Sequence, residues 1–558
     1  MKKVIGIDLG TTYSCVSHVN EYGIAEVIPN SEGEPTTPSV VWFDGKRVVV
    51  GQEAKEMTSI HPDAVCSFIK RNMGSDDYYF EVDGVRYTPE HVSSLILRKL
   101  VKDASEHLGE KITDVVITCP AYFFVKEREA TKKAGEIAGL NVLHILNEPT
   151  AAAFAYGIKP NENTQERHIL VYDLGGGTFD ASIIRISQSG VDVLCTDGDH
   201  QLGGKDWDDR IVQHLAQCYY EQTQEYVNPL NDPELYYDLL QIAERAKKQL
   251  STRVSTKVKI SYQGNTVQAE LTREKFDQLT RDLLEKTMTL IKSLLKVARG
   301  KGCTRVEQML LVGGSSRMPQ VAERLQKEYS IKPQIFDPDE AVAKGAAMIG
   351  HNLQMQKLVD TKLQTRSRDL SIETASQAEL KEAGQKVAEE HGYTLEIVSR
   401  AMTKARNVSS KTFGIVVLDN FDVKGSPQLA VSNLIYRNTP LPAESRQTFA
   451  TIADNQNMVV IELVENMCDA PAEGTPEPIV EMGDTVSLWD GDLPIKPRMP
   501  VYSPIEVTFR IDENGHLSLI AYDPASGGKL EKSLPEKSAQ YEQELQKVTE
   551  KSRDLIIE

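Results

Sequence analysis

The sequence lacks the features of a disulfide-stabilised, zinc-binding or membrane-spanning protein. Its seven cysteines are scattered and none belongs to a Cys-x-x-Cys pair, which argues against a zinc site or a disulfide framework. No apolar run reaches the roughly 18 residues that a membrane-spanning helix needs. The apolar stretch after Met1-Lys2-Lys3 is interrupted by Asp8, so we expect no export signal. These absences favour a reducing, cytoplasmic compartment and no membrane partner.

Positive charge is also in short supply. Lysine and arginine number 63 against 81 aspartates and glutamates, for a formal net charge of −18. Because nucleic acid attracts basic patches, this balance argues against a nucleic-acid partner. With 558 residues the chain is too long for one core, and the usual domain size predicts about three to four structural units.

Residues 1–354 alternate short β-rich runs with amphipathic helical stretches, a pattern typical of layered α/β architecture. Strands are predicted at 48–50, 115–118 and 308–312, and helices at 90–107, 126–138, 233–250 and 273–298.

Residues 355–410 differ in composition, because Gln, Lys, Glu, Ala, Ser and Thr predominate there. Helical spacing appears at 378–390 and 394–405, with a helix stop at His391-Gly392. The composition fits a small helical hairpin, a helical spacer or a partly disordered tether.

Residues 411–534 show the alternation of a β-sandwich, in the segments 413–418, 447–452, 459–464 and 505–511. After Pro535 a charged amphipathic stretch at 539–556 predicts one short helix within residues 535–558.

Two similar glycine-rich phrases are the most informative motifs. The first is Gly6-Ile7-Asp8-Leu9-Gly10-Thr11-Thr12, and the second is Asp173-Leu174-Gly175-Gly176-Gly177-Thr178-Phe179-Asp180. Each lies between two apolar runs, so each is predicted at a hairpin turn. Glycine lets backbone N–H groups approach phosphate oxygens, threonine adds a hydroxyl, and aspartate can hold a hydrated Mg²⁺. Two facing hairpins would therefore hold a triphosphate from both sides, and the recurrence indicates an internal duplication.

A third glycine phrase, Gly313-Gly314-Ser315-Ser316-Arg317-Met318-Pro319, follows an apolar run and precedes a predicted helix. A strand, a glycine turn and a helix N-terminus together can seat an anion or a nucleoside.

With all three phrases in order, the chain resembles the seventy-kilodalton heat-shock chaperone family (DnaK type). The resemblance extends over about the first 350 residues, in the segments 6–15, 67–71, 119–123, 147–157, 173–180, 244–250, 313–319 and 337–347. The resemblance implies an α/β actin-like ATPase domain of two duplicated lobes (1–354) and an all-β peptide-binding sandwich (411–534). Composition adds a helical insert (355–410) and a short C-terminal helix (535–558), so the chain is predicted to be multidomain.

The resemblance also implies ATP or ADP with Mg²⁺ as ligands, and K⁺ as a further candidate ion. The implied catalytic residues are Lys70, Glu148, Asp173 and Thr178, and Asp8 and Asp173 would hold the metal. The implied nucleotide contacts are Gly10, Thr11, Thr12, Tyr13, Gly175, Gly176, Gly177, Thr178, Gly203, Gly204, Glu244, Lys247, Lys248, Ser251, Gly313, Gly314, Ser315, Arg317 and Asp339. Lys248 stands where the family has arginine, so we expect a weaker adenine contact there.

In the β region, the resemblance implies a slot that captures extended apolar peptide. Its implied lining is Ile415, Val417, Leu418, Phe449, Ile452, Val459 and Ile461. Implied partners are unfolded or extended polypeptide clients, a J-domain co-chaperone and a nucleotide exchange factor. Pro120 and Arg128 match positions that relay nucleotide state, whereas Phe124 and Val125 replace the polar residues usual in that loop.

Two family features are missing from the sequence. The short apolar linker is replaced by about 55 polar residues, so we expect no linker strand to dock and interdomain coupling to be rerouted, reduced or lost. Only about twenty residues follow the predicted sandwich in place of a helical lid, which predicts fast peptide exchange.

The leading hypothesis is an ATP-dependent chaperone whose slow hydrolysis controls affinity for apolar peptide segments. The alternative is a nucleotide-gated adaptor that recognises one dedicated partner through its sandwich and helical insert. A small-molecule kinase would need an acceptor site and a catalytic base that the sequence does not show.

Overall fold

The computed structural model describes residues 2–156, 166–187, 190–402, 404–421, 427–466, 479–481, 485–513, 515–534, 546, 549 and 555–558. It is a mixed α/β structure. Its elements up to residue 156 are β1 (Val4–Asp8), β2 (Tyr13–Val19), β3 (Ala25–Val27), β4 (Thr36–Pro38), β5 (Val41–Asp44), β6 (Arg47–Val50), α1 (Gln52–Glu56), β7 (Val65–Cys66), a 3₁₀ turn (Ile69–Asn72), β8 (Phe80–Val82), β9 (Val85–Tyr87), α2 (Pro89–Leu108), β10 (Asp114–Cys119), α3 (Val125–Ile137), β11 (Asn141–Asn147) and α4 (Glu148–Ala155).

The next stretch repeats this alternation with longer helices. Its elements are β12 (Arg167–Leu174), β13 (Phe179–Ser187), β14 (Gly190–Asp199), α5 (Gly204–Thr223), a 3₁₀ turn (Pro229–Asn231), α6 (Pro233–Leu250), β15 (Ser255–Tyr262), β16 (Asn265–Thr272), α7 (Arg273–Leu279), α8 (Arg281–Gly300), β17 (Gln308–Val312), a 3₁₀ turn (Gly314–Arg317), α9 (Pro319–Tyr329), β18 (Gln334–Ile335) and α10 (Ala341–Gln364).

The remaining elements are helical and then all β. They are α11 (Gln377–His391), α12 (Leu395–Ala401), β19 (Lys404–Arg406), β20 (Thr412–Phe421), β21 (Pro427–Ile435), β22 (Ala443–Ala450), β23 (Gln456–Asn466), β24 (Ile479–Glu481), β25 (Thr485–Met499), β26 (Pro504–Ile511), β27 (Leu517–Tyr522), β28 (Lys529–Leu534) and β29 (Ile556–Ile557).

Two sheets with the same internal order form the centre of the first 350 residues. The first runs β11-β10-β1-β2-β3 and the second runs β18-β17-β12-β13-β14-β19. In each, an antiparallel hairpin (β1–β2 or β12–β13) has a parallel strand (β10 or β17) beside its first member. Both glycine phrases therefore lie at hairpin turns, as predicted from the sequence.

The strands from β20 to β28 form two antiparallel sheets, ordered β24-β21-β20-β23-β25 and β22-β26-β27-β28. Apolar side chains of both sheets share one buried cluster, in which the rings of Phe413 and Phe509 lie 5.8 Å apart. The alternating burial of β26 explains its period-2 sequence, because every second residue enters this cluster. We call these strands the sheet pair.

The helices α10, α11 and α12 pack on one another through a small apolar cluster that includes Met355, Val387 and Val398. Ser376 caps α11 by accepting a hydrogen bond from the Glu379 backbone N–H, and Gly392 ends that helix with a φ of 75°. Of the three alternatives for this region, a helical hairpin is the one that the structure has.

Most predicted elements are confirmed within one or two residues, but three predictions are wrong. The predicted helix at 273–298 is broken at Thr280, whose buried hydroxyl donates to the Phe276 carbonyl oxygen at 2.9 Å and accepts from the Gln320 amide at 3.1 Å. Thr280 has a φ of −115°, which interrupts the helix between α7 and α8.

The second helix of the insert ends at Ala401, and the expectation that no linker strand docks is wrong. Residues Lys404–Arg406 form β19, which pairs in parallel with Gly190–Asp192 at the edge of β14. The pairing uses the backbone N–H and C=O groups of an open sheet edge, so it does not require an apolar segment.

The helix predicted at 539–556 falls largely outside the described residues. Within that range, Gln546 and Thr549 are described, and both are helical. Its end is wrong, since Ile556–Ile557 form the strand β29, which pairs in parallel with β6. The division of the chain at 354, 410 and 534 stays a prediction.

Candidate nucleotide site

A cleft of about 610 Å³ lies between the sheet that contains β1 and β2 and the sheet that contains β12 and β13. This volume is in the range of ligand pockets. All three glycine phrases line it. Among the predicted contacts, it is lined by Asp8, Gly10, Thr11, Thr12, Tyr13, Lys70, Glu148, Asp173, Gly175, Gly176, Thr178, Glu244, Lys247, Lys248, Ser251, Gly313, Gly314, Ser315, Arg317 and Asp339. The structure thus brings together groups that are far apart in sequence.

The first two glycine phrases face each other at very short range. A methyl group added at Gly177 would lie 2.3 Å from Cγ2 of Thr11, and one added at Gly176 would lie 2.0 Å from Oγ1 of Thr12. Only glycine permits this approach, because any β-carbon at either position would overlap the opposing threonine. The two hairpins are therefore paired closely enough for one phosphate chain to contact both.

Gly177, Gly203 and Gly204 do not line the cleft but support the second glycine phrase. The Gly204 N–H donates to the Gly175 carbonyl oxygen at 2.9 Å, and the Lys205 N–H donates to the Gly176 carbonyl oxygen at 2.8 Å. A β-carbon on Gly203 would lie 2.5 Å from the Gly177 backbone. The turn before α5 thus fixes the backbone of the second phrase.

Lys70 and Glu148 form a buried ion pair at the floor of the cleft. The Lys70 Nζ lies 2.7 Å from Glu148 Oε1, and both side chains are at least nine-tenths buried. Burial alone would lower the pKa of Lys70, but the Glu148 and Asp8 carboxylates raise it overall. The ammonium group is therefore held charged, which suits it to face phosphate oxygens.

Asp8 and Asp173 bring excess negative charge to the same floor. Burial, reinforced by Glu148, raises the pKa of Asp8 to about 7. Burial also raises the pKa of Asp173 well above its usual value, with further contributions from Glu148, Asp180 and Asp8. A cation beside these carboxyl groups would relieve both the burial cost and the mutual repulsion.

This donor set fits Mg²⁺ better than an ion caged by protein alone. Among the described residues, no group of three or more His, Cys, Asp and Glu side chains lies close enough to hold a metal ion. Mg²⁺ commonly keeps several waters and takes one or two carboxylates together with substrate phosphates. Asp8 and Asp173 could supply those carboxylates.

One wall of the cleft is formed by α6. Lys248 Nζ lies 2.8 Å from Glu244 Oε1 on this helix, and the Ser251 hydroxyl donates to the Lys247 carbonyl oxygen at 3.3 Å. Although burial opposes it, Lys55 and Lys248 lower the pKa of Glu244 to about 2. Lys247 is buried, and its Nζ lies 2.7 Å from Asp208 Oδ2.

The third glycine phrase forms the opposite wall. Gly313 has a φ of 78°, and a β-carbon there would lie 2.5 Å from Asp173 Oδ1. Arg317 is half-exposed and makes an ion pair with Asp339 at 2.6 Å, so its guanidinium plane stands at the rim of the cleft. This position suits stacking on a base.

Sequence reasoning missed Lys55, which crosses the mouth of the cleft. Its Nζ lies 2.5 Å from Glu244 Oε2 and 2.7 Å from the Tyr13 hydroxyl. Lys55 is on the five-residue helix α1, which carries no motif. It could have been found only from the three-dimensional position of α1. Asp208, the partner of Lys247, was missed for the same reason.

Comparison with protein families decides the identity of the chain. The family model described as Hsp70 protein matches residues 4–83, 76–388 and 421–556. The chain belongs to the Hsp70 family. This confirms the resemblance drawn from the sequence, and the match at 421–556 covers most of the sheet pair. Members of the family are ATPases that bind nucleotide with Mg²⁺, bind unfolded clients and work with co-chaperones.

In this Hsp70 chain the loop before α3 contacts the sheet pair. Lys411 Nζ lies 3.2 Å from the ring centroid of Tyr122 and 4.0 Å from that of Phe124. Val125 packs against the apolar cluster of the sheet pair. The two residues that depart from the family pattern, Phe124 and Val125, are therefore interface residues.

The predicted relay residues lie beside this interface. The Arg128 guanidinium donates to Asn147 Oδ1 and to the Ala121 carbonyl oxygen, while Pro120 begins the turn that carries Tyr122. On the other side, Arg437 forms an ion pair with Asp197 at 2.7 Å. The end of β14 therefore contacts the segment that follows β21.

The predicted peptide-slot residues occupy three different environments. Ile415 and Ile461 are buried in the core of the sheet pair, and Val417, Phe449 and Val459 pack partly buried against it. Leu418 is half-buried, whereas Ile452 is 61% exposed.

Other exposed apolar side chains between β20 and β28 include Leu429, Met458, Val460, Tyr502 and Tyr522. None of the helices in the described ranges is long and apolar enough to cross a lipid bilayer.

Proposed function

We propose that this chain is an ATP-dependent chaperone in which nucleotide in the cleft controls the affinity of the sheet pair for extended apolar peptide. The observation that carries the proposal is the direct opposition of Gly176 and Gly177 to Thr12 and Thr11. Such close opposition suits one linear phosphate chain, with backbone N–H groups from both hairpins donating to its oxygens. We further propose the actin-like, duplicated-lobe fold for residues 1–354 and a sandwich fold for residues 411–534.

We propose hydrolysis by attack of water in line with the leaving phosphate. Lys70 Nζ would contact the terminal phosphoryl group and orient the water, and Glu148, 2.7 Å away, would keep the ammonium group in place. Thr178 would offer its hydroxyl to the same phosphoryl group. Asp8 and Asp173 would hold Mg²⁺, which when bound neutralises charge on the phosphate oxygens.

Adenosine would lie between α6 and the third glycine phrase. Glu244, with its lowered pKa, would accept hydrogen bonds from ribose hydroxyls. Arg317 would stack on the base from the opposite wall. Tyr13 would remain hydrogen-bonded to Glu244, which it contacts at 3.1 Å, so the phosphate and nucleoside halves of the site would be joined.

For the client, we propose an extended peptide with apolar side chains. The exposed side chains of Ile452, Leu429, Met458, Val460 and Tyr502 are the contacts that we propose for such a peptide. A J-domain co-chaperone and an exchange factor are the partners we propose. A cytoplasmic location is likewise a proposal.

Two assays test this function together. A panel of fluorescent apolar peptides should bind in the micromolar range, and ATP should weaken the binding. Single-turnover hydrolysis of ATP should accelerate when peptide is added. Silence toward every peptide would favour a dedicated-partner adaptor instead, and acceleration by sugars would indicate a small-molecule kinase.

A further inference from the structure

Residues 555–558, which we call the return strand, add to the β5–β6 hairpin. Ile556 pairs with Arg47 and Ile557 with Val48 in parallel. The Ile556 N–H donates to the Lys46 carbonyl oxygen at 3.1 Å, and the Glu558 N–H donates to the Val48 carbonyl oxygen at 3.0 Å. In return, the Val50 N–H donates to the Glu558 carbonyl oxygen at 3.1 Å. The strand therefore satisfies an edge that would otherwise present unpaired backbone groups.

The side chains of the return strand alternate as this pairing requires. Leu555 and Ile557 pack against the apolar core formed by β5, β6 and α2, whereas Ile556 between them is 63% exposed. Two polar contacts flank this apolar seat. Arg47 Nε lies 2.7 Å from Glu558 Oε2, and Lys102 Nζ on α2 donates to the Ile557 carbonyl oxygen at 3.2 Å. Backbone pairing, apolar pockets and charge thus all select this segment.

The strand β6, whose edge the return strand covers, leads directly into α1, the helix that carries Lys55. Val50 is the last residue of β6, and Gly51, with a φ of 112°, begins α1. Four residues further on, Lys55 makes its contacts with Glu244 and Tyr13. A strand that fixes Val50 therefore fixes the start of the helix that carries Lys55.

We propose that the edge of β6 is a strand-docking site occupied by residues 555–558, and that this occupancy slows nucleotide release by holding α1 and Lys55 across the cleft. The effect on release rests on the proposed function, whereas the docking does not.

Amide hydrogen exchange tests the docking in the absence of nucleotide. Ile557→Asp places a charge in the apolar seat, and deletion of residues 555–558 removes the strand without adding a charge. Both changes should speed exchange of the Val50 amide by about tenfold or more, because its acceptor on Glu558 is lost. Ile556→Asp, at the exposed position, is the matched control and should leave exchange unchanged. Equal protection of Val50 in the deletion variant and the full chain would overturn the docking.

Release of a fluorescent ADP analogue, followed by stopped flow, tests the coupling. Ile557→Asp and the deletion should release it about fivefold faster or more, a change at the low end of usual coupling energies, while Ile556→Asp should match the unaltered chain. Loss of Val50 protection with unchanged release would overturn the coupling. If the unaltered chain binds no nucleotide, the proposed function fails, and the hydrogen-exchange result still decides the docking.

Discussion

Replacement of Gly177 by alanine should weaken Mg·ATP binding by separating the two glycine hairpins. The added methyl group would lie 2.3 Å from Cγ2, 2.6 Å from Oγ1 and 2.7 Å from Cβ of Thr11. Carbon atoms prefer a separation of about 3.5 Å or more, so the hairpins must move apart by roughly 1 Å. Thr11 cannot avoid the overlap by rotating, because its Cβ is also within the forbidden distance.

The cost of this movement can be bounded. Overpacking of a close contact typically costs about 1–3 kcal/mol, and a factor of ten in affinity corresponds to about 1.4 kcal/mol. We therefore expect Gly177→Ala to bind Mg·ATP about ten- to a hundredfold more weakly in titration calorimetry. Circular dichroism and the thermal midpoint would show whether the variant remains folded.

Gly300→Ala, on α8 and away from the cleft, is the matched glycine-to-alanine control. Its methyl group would meet no atom within 4 Å, so affinity should change by less than about twofold. Combining Gly177→Ala with Thr11→Gly removes all three overlapping atoms, and the double variant should lose less than the sum of the single losses. A folded Gly177→Ala chain that binds as tightly as Gly300→Ala would refute the reasoning.

Four further predictions follow from individual side chains. Lys70→Ala should reduce single-turnover hydrolysis by about a hundredfold or more while ATP still binds, and unchanged turnover would remove Lys70 from its role. Val125→Asp places a charge against the cluster of the sheet pair, so small-angle scattering should show a larger radius of gyration; an unchanged radius would contradict the interface. Burial raises the pKa of Glu127 to about 7, so between about pH 4.5 and about pH 7 the folded chain keeps a proton that the unfolded chain has lost. The contribution of Glu127 to the unfolding free energy therefore falls as pH rises through this window. In denaturant titrations across the window, Glu127→Gln should lose less stability than the unaltered chain. Phe509→Ala in the core should cost about 3–5 kcal/mol of unfolding free energy, whereas Ile452→Ala, which removes a 61% exposed side chain, should change it by less than about 0.5 kcal/mol.

Local patterns in the sequence were enough to predict the hairpins and the long helices. Glycine turns between alternating apolar runs are local signals, and they placed both glycine phrases at the β1–β2 and β12–β13 turns. The bounds of α6 match the prediction, and neighbouring residues define its start, since Asp232 caps the helix and Pro233 begins it. Where the residues that decide a structure are neighbours in sequence, the pattern is sufficient.

The missed features depend on partners far away in the chain. The Lys55–Glu244 pair joins residues separated by 189 positions, and no spacing rule connects them. The break at Thr280 interrupts an apolar periodicity that continues on both sides. The Thr280 hydroxyl is hydrogen-bonded to Gln320, 40 positions away. No local preference reports such contacts.

The two strands that the sequence did not reveal, β19 and β29, have the same explanation. Each is two or three residues long and forms by pairing with an exposed edge, β14 or β6. A segment this short carries no periodicity that could be read. Backbone pairing with a distant edge outweighs the helical preference of the residues before it.

Equilibrium binding of radiolabelled ATP to the full chain, with and without Mg²⁺, tests the central claim most directly. If the facing hairpins hold a magnesium-bound triphosphate, one ATP should bind per chain, Mg²⁺ should strengthen the binding, and Gly177→Ala should weaken it far more than Gly300→Ala. Absence of saturable binding, or binding that neither Mg²⁺ nor Gly177→Ala alters, would contradict the account.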